Sequence, residues 1–290
     1  MKNELTIITR DFYHLGATEY IPQAPNSSSV VINSAMAVKQ QFYSDFATYL
    51  ANEGFHVITY DYRGIGRSKK GSLRKLDATL LDWASLDYEA VLQYASETYP
   101  RNTVSVLGHS IGGQLVGFSS KSELVERFVF IASQTPYWKN YNSSTKPKLW
   151  ILWYLLIPGL SKMFGYFPAA RLGLFENLPK NIALQWMRWA RNKRYAFQEI
   201  QKEKTSFEKL SQRCLALSFA DDPYAPEPAA KDLLSYYTSL NTQHQHLHPE
   251  DIAMDSIGHF GFFKKRFRNT LWLSTKEWLE KRNPGHRIAV

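Results

Sequence analysis

The chain has 290 residues, of which 44% are hydrophobic, enough for one large core with an inserted subdomain. A single cysteine, Cys214, excludes an intramolecular disulfide framework and fits a reducing compartment. No run approaches the ~20 apolar residues of a membrane span, and the N-terminus lacks the charged-then-apolar layout of a secretory signal, so a cytoplasmic location is expected. The net charge of +9 is not evenly spread: between Gln134 and Ser206 there are 12 Lys or Arg against 3 Glu and no Asp. Five of the 8 Trp lie in the same window. The remainder of the chain is neutral, so this segment is expected to differ in role.

In chain order, Leu5 to Thr9 reads as a first strand and Tyr13 to Ile21 as its partner. Val30 to Asn33 is a short buried strand. Apolar residues at Phe42, Phe46, Tyr49 and Leu50 recur at the helical period, predicting a helix from Gln41 to Glu53 that Gly54 ends. Phe55 to Tyr60 is the next strand. Thr79 to Tyr99 is a long amphipathic helix that Pro100 stops. A strand at Val104 leads into Gly108, and Arg127 to Ala132 is another strand. The alternation then lapses. Residues 134–206 read as helices broken at Pro147, Pro158, Pro168 and Pro179. It resumes with Cys214 to Phe219, a helix from about Glu227 to Tyr237, a strand ending near His248 and a last helix from about Asn269 to Arg282. Short apolar strands alternating with helices predict a mostly parallel sheet covered on both faces. The expected organisation is a core from 1–133 and 207–290, with 134–206 as a helical cap.

The chemistry centres on Gly108-His109-Ser110-Ile111-Gly112. A serine hydroxyl is a weak nucleophile until it is held in the open beside a base. A sharp strand-to-helix turn at Ser110 does this, with glycines where a Cβ would collide. The N–H of Ile111 then opens a helix and can face an oxyanion. The base needs an orienting acid. Asp221 and Asp222 follow the strand at 214–219, and His259 lies in a loop after the last strand. Open α/β sheets carry their sites just past the carboxyl ends of strands, where all of these residues fall.

The chain resembles the α/β-hydrolases of the serine aminopeptidase and monoacylglycerol-lipase-like group, and within it a bacterial branch of predicted α/β-hydrolases. The resemblance rests on Phe55 to Ser68 (FHVITYDYRGIGRS), Leu107 to Gly113 (LGHSIGG), Ala220 to Pro226 (ADDPYAP) and Ile257 to Phe263 (IGHFGFF). The stretch Leu178 to Arg191 resembles that branch's cap. The resemblance implies an α/β-hydrolase fold, with Ser110 as nucleophile, His259 as base and one of the adjacent aspartates as orienter. In similar hydrolases the acid stands four residues before a turn proline, which selects Asp222 before Pro226, with Asp221 second. The oxyanion hole implied for the group takes a second N–H from the loop after the third strand. Here that points to Ala35, with Met36 as the alternative; Ser34 departs from the usual Gly. No metal or organic cofactor is implied. Asp61 to Ser68 has two glycines but no phosphate-loop Lys-Ser/Thr pair, and reads as a structural turn.

His244, His246 and His248 alternate, so a strand would put all three on one face. They are either a metal site or the solvated face of an edge strand, and the lack of a further ligand set favours the second. His109 and Cys214 read as structural. Leu149 to Leu160 is apolar but too short for a bilayer. It suggests an acyl-chain groove, a contact with an anionic membrane surface, or a face packed on the core. No nucleic-acid recognition motif accompanies the basic segment. The expected activity is hydrolysis of a small-molecule carboxylic ester. Acyl transfer or amide hydrolysis on the same residues, and a non-catalytic binding protein on this scaffold, are the alternatives.

Overall fold

The computed structural model describes residues 1–281. The strands are β1 (Lys2–Ile8), β2 (His14–Tyr20), β3 (Ser28–Asn33), β4 (His56–Tyr60), β5 (Thr103–His109), β6 (Arg127–Ile131), β7 (Tyr166–Phe167), β8 (Leu178–Pro179), β9 (Arg213–Phe219) and β10 (Asn241–Leu247). Eight of them form one sheet in the order β1-β2-β4-β3-β5-β6-β9-β10. The pairs β1–β2 and β2–β4 are antiparallel, and every pair from β4 to β10 is parallel. This is the mostly parallel sheet that the alternation predicts.

The inner strands bury both faces, as parallel strands do, while the edge strands β1 and β10 are largely exposed or half-buried. In β3, Val30 and Ile32 join one apolar cluster with the helix Ser44–Asn52 and the C-terminal residues Phe262, Leu271 and Trp272. Val31 joins the opposite cluster, with Trp83, Val91 and Leu92. The helical run Leu80–Thr98 starts where expected. Thr79 caps it, accepting from Asp82 N while the Asp82 carboxylate accepts from Thr79 N, so two orphan amides are satisfied at once. The C-terminal run covers Arg268–Trp272 and Leu273–Glu280; the expected end at Arg282 lies outside the described residues.

The stretch between β6 and β9 adds no strand to the large sheet. It holds the short β7–β8 pair and the helices Lys146–Ile151, Ile157–Phe164 and Lys180–Arg191. The expected break at Pro158 is corrected here, while Pro147 does stand at a helix start. Pro147 sits in a first helical turn, where its missing N–H costs nothing. Pro158 follows a π-turn at Leu152–Leu156 that continues the helix, so the widened backbone ladder absorbs the missing donor. Pro168 and Pro179 do stand at element ends. Trp153, Ile157, Trp189 and Tyr195 of this stretch are buried in the same cluster as Val31 and Trp83, so it shares a core with one sheet face. Three buried contacts seat it. Pro179 lies against Gly64, whose φ is +86°. Leu80 N donates to Gln185 Oε1 at 2.7 Å. The Tyr195 hydroxyl donates to Gln114 Oε1 at 2.7 Å, on the helix that follows Ser110.

No helix among the described residues is long and apolar enough to cross a membrane. Cys214 is buried, and burial pushes its thiol pKa up. The alternating histidines lie on the edge strand β10. His244 Nε2 and His246 Nδ1 both meet Ser218 Oγ at 2.8 Å, while His248 follows the strand. Among the described residues, no group of three or more His, Cys, Asp or Glu could hold a metal ion.

Candidate active site

β5 ends at His109 and a helix begins at Ile111, leaving Ser110 alone at the turn with φ 54° and ψ −116°. A non-glycine residue held there costs on the order of 1–3 kcal/mol, which the surroundings must offset. The glycines make the turn sterically feasible. A Cβ on Gly108 would lie 2.5 Å from Gly113 N, and one on Gly112 would lie 2.4 Å from the carbonyl oxygen of Asn33. That last approach ties the elbow to the end of β3. Asn33 Nδ2 also donates to Gly112 O at 3.3 Å, and the Tyr60 hydroxyl donates to Asn33 Oδ1 at 2.8 Å.

His259 is the second residue of a short helix, Gly258–Gly261, instead of lying in a loop. Its Nδ1 is 2.7 Å from Asp222 Oδ2, with both side chains almost wholly buried. Nδ1–H donates to the carboxylate, which leaves the Nε2 lone pair free to act as a base. The other Asp222 oxygen accepts from Tyr224 N at 2.7 Å and Ala225 N at 2.9 Å, so backbone fixes the carboxylate plane. Asp221 does something else. It accepts from Ile257 N at 2.8 Å and Gly258 N at 2.9 Å, clamping the segment just before His259. Adjacent aspartates thus divide the work, one on the imidazole and one on its backbone.

Ser110 Oγ meets Gln134 within hydrogen-bonding distance, at 3.4 Å from Nε2 and 3.5 Å from Oε1. Among the described residues it makes no hydrogen bond to His259. Gln134 Nε2 also donates to Tyr224 O at 3.1 Å, next to the Asp222 turn. Gln134 carries no signal in the sequence, because nothing in a pattern of elements says which side chain of a β6 exit faces the elbow.

The expectation for Ala35 is corrected. Its N–H donates at 2.7 Å to the buried Tyr43 hydroxyl, so it is already engaged. The N–H of Met36, the alternative, meets no acceptor among the described residues, and neither does that of Ile111 at the first position of its helix. Tyr43 belongs to a longer buried chain. Its hydroxyl is 2.9 Å from His109 Nδ1, and His109 Nε2 is 2.9 Å from the carbonyl oxygen of His259. A carbonyl only accepts, so His109 Nε2 carries the proton and Nδ1 accepts from Tyr43. Burial, with the neighbouring His259 second, drives the His109 pKa well below its ordinary value and keeps the ring neutral. One tautomer therefore links the loop after β3 to the backbone of His259. His109 was expected to be structural, and this chain is the structure it builds. Tyr43 was missed because an aromatic residue in an amphipathic helix reads as core.

The turn after β4 is structural. The Asp61 carboxylate accepts from Gln40 N, Gln40 Nε2 and Arg67 N at 2.8, 2.8 and 2.9 Å. Gly66, at φ +44°, leaves no room for a Cβ beside it.

A parallel-rich sheet with a strained serine elbow, a buried His–Asp pair and two unengaged amides gives the chain the architecture of the α/β-hydrolase fold. Residues 24–162 match the family model described as serine aminopeptidase, S33. No curated protein matches the sequence at a significant level. Among solved structures, the chain is similar to the esterase Pf2001 of Pyrococcus furiosus, at 13% identity, TM-score 0.63, and coverage of 97% of this chain and 91% of that one. It is also similar to Est1E of Butyrivibrio proteoclasticus with bound ferulic acid (17%, TM-score 0.64, 95% and 97%). A third is the esterase EaEST of Exiguobacterium antarcticum (12%, TM-score 0.61, 96% and 100%). At these identities the likeness is one of fold.

Proposed function

We propose that this protein is a serine hydrolase that cleaves a carboxylic ester through an acyl-enzyme. Ser110 attacks the carbonyl carbon. His259 Nε2 takes the hydroxyl proton and returns it to the leaving alcohol, and Asp222 holds the imidazole in the required tautomer and balances its charge. Water then repeats the cycle on the acyl-enzyme. The amides of Ile111 and Met36 are the donors for the tetrahedral oxyanion. Ser110 must turn from Gln134 toward His259 as substrate enters; catalytic hydrogen bonds commonly tighten only then. Residues 134–206 act as a cap over the core formed by 1–133 and 207–290.

The observation that carries this reading is the 2.7 Å His259–Asp222 contact behind a strained serine elbow. The test is labelling by a fluorophosphonate probe. Wild type is expected to label, and Ser110→Ala and His259→Ala are not. A folded wild-type protein that stays unlabelled would refute the proposal. The family description favours one second reading, amide hydrolysis on the same residues. Paired ester and aminoacyl-amide substrates separate the two.

The outer face of the cap supports contact with an anionic membrane surface. Trp150, Ile151, Leu155 and Met163 are 43%, 44%, 55% and 67% exposed, on helices whose other side is buried. Residues 134–175 carry five Lys or Arg and no acid. Apolar groups facing outward beside unopposed cations match an anionic bilayer. The protein is expected to co-sediment with phosphatidylserine vesicles and not with phosphatidylcholine ones, and Trp150→Ala with Leu155→Ala should weaken binding about tenfold or more. Absence of binding at low salt would remove this part of the proposal.

A further inference from the structure

A proton returned to a leaving alcohol travels the length of one hydrogen bond, so the alcohol oxygen must come within reach of His259 Nε2. Whatever surrounds His259 therefore surrounds the alcohol half of the ester. That neighbourhood is aromatic. The Phe260 ring stands 4.8 Å from the His259 ring at 87°, and the Tyr224 ring 5.6 Å from it at 62°. Phe175 packs 4.8 Å from Phe260, and Phe42 lies 5.9 Å from Phe260 and 6.4 Å from Phe175.

These four rings come from four separate parts of the chain: the turn after the β3 loop, the cap, the turn after β9 and the segment of the base itself. Phe42 and Phe260 are half-buried, and the other two are exposed. Phe175 is 45% exposed and Tyr224 50% exposed. Phe175 is nonetheless held in place. The next residue, Glu176, donates its N–H to Ala37 O at 2.9 Å and pairs with Lys39 at 3.0 Å. The cap thus sets this ring against the same loop that offers the Met36 amide.

We infer that the alcohol half of the substrate is aromatic and apolar, an arylalkyl ester, and that Phe175 and Tyr224 are the side chains that receive it. This rests on the hydrolase reading above. Ring pairs at 4.5–7 Å in edge or tilted arrangements are the geometry that aromatic groups favour. A flat aryl group entering beside His259 completes such contacts for two rings that now face outward. An alkyl group of similar size gains burial without the ring geometry.

The test uses acetate esters of benzyl alcohol, cyclohexylmethanol and ethanol, whose alcohols differ in shape and little in acidity. In wild type, kcat/KM is expected to be highest for benzyl acetate, about tenfold above ethyl acetate and clearly above cyclohexylmethyl acetate. Phe175→Ala should reduce the benzyl-to-ethyl ratio about tenfold, and Phe175→Tyr should restore it; Tyr224→Ala should reduce it as well. A merely structural ring would change all three esters together and leave the ratio where it was. A ratio indifferent to Phe175 and Tyr224, with ethyl acetate still hydrolysed, overturns this inference and leaves the hydrolase reading standing. Absence of turnover on every ester, together with absence of fluorophosphonate labelling, overturns both.

Discussion

Replacing Asp222 by Asn is expected to lower kcat by about ten thousandfold, and replacing Ser110 or His259 by Ala by about a millionfold, with the fold intact. The reason lies in which atoms meet. Asp222 Oδ2 accepts from His259 Nδ1 at 2.7 Å, and this bond dictates that the lone pair sits on Nε2. An amide at 222 can present its NH2 to Nδ1, which then becomes the acceptor. The proton moves to Nε2 and the base is lost. The same substitution at the neighbouring residue is the control. Asp221→Asn weakens two charge-assisted bonds, to Ile257 N and Gly258 N, but touches no ring nitrogen. It should cost about 2 kcal/mol of stability and less than a hundredfold in kcat. Steady-state kinetics on the two single variants, with urea unfolding of each, gives the comparison. Equal losses of kcat at 221 and 222 would defeat the assignment of the acid.

The second large effect belongs to the buried chain from Ala35 through Tyr43 and His109 to His259. Tyr43→Phe leaves the Ala35 amide and His109 Nδ1 without partners, which should cost about 2–4 kcal/mol for two stranded buried groups. Because Met36 follows Ala35, kcat should fall about 10–100-fold with little change in KM. His109 adds a pH signature. Its folded-state pKa is depressed below the ordinary 6.5. Above that value both folded and unfolded chains hold a neutral ring, so its contribution is fully present. As pH falls below 6.5, the unfolded chain takes up a proton that the folded chain refuses, and stability drops by up to about 1.4 kcal/mol per pH unit. Asn at 109 keeps an acceptor for Tyr43 and has nothing to titrate. The stability difference between pH 7.5 and 5.5, from urea midpoints, should therefore be larger in wild type than in His109→Asn. An unchanged difference would mean that the ring is not held neutral.

Local chemistry made much of this legible from the sequence. Gly108, Ser110 and Gly112 announce the elbow because only glycines tolerate those backbone approaches. The alternation of short apolar strands with helices announces a parallel sheet because strands buried on both faces cannot be polar at every second residue. The resemblance to similar hydrolases favours Asp222 over Asp221, because Asp222 stands four residues before Pro226. The helix at 80–98 starts where Thr79 and Asp82 can cap it.

What the sequence could not convey depends on contacts between distant residues. Ala35 looked like an oxyanion donor because its place in the loop is right, yet a hydroxyl eight residues on already takes its N–H. Pro158 looked like a break because proline lacks a donor, but a π-turn shifts the ladder that would have needed one. Gln134 and Phe175 carry no signal of their own and matter only through what stands beside them. The sequence by itself determined the fold class and put forward Ser110, His259 and one of Asp221 and Asp222 as candidate nucleophile, base and acid, since these follow from backbone sterics, residue chemistry and their place after strands. Only the tertiary structure decided which amides remain free, which way His109 is protonated and what surrounds His259, because hydrogen-bond partners and burial are set by packing between segments that the chain order leaves far apart.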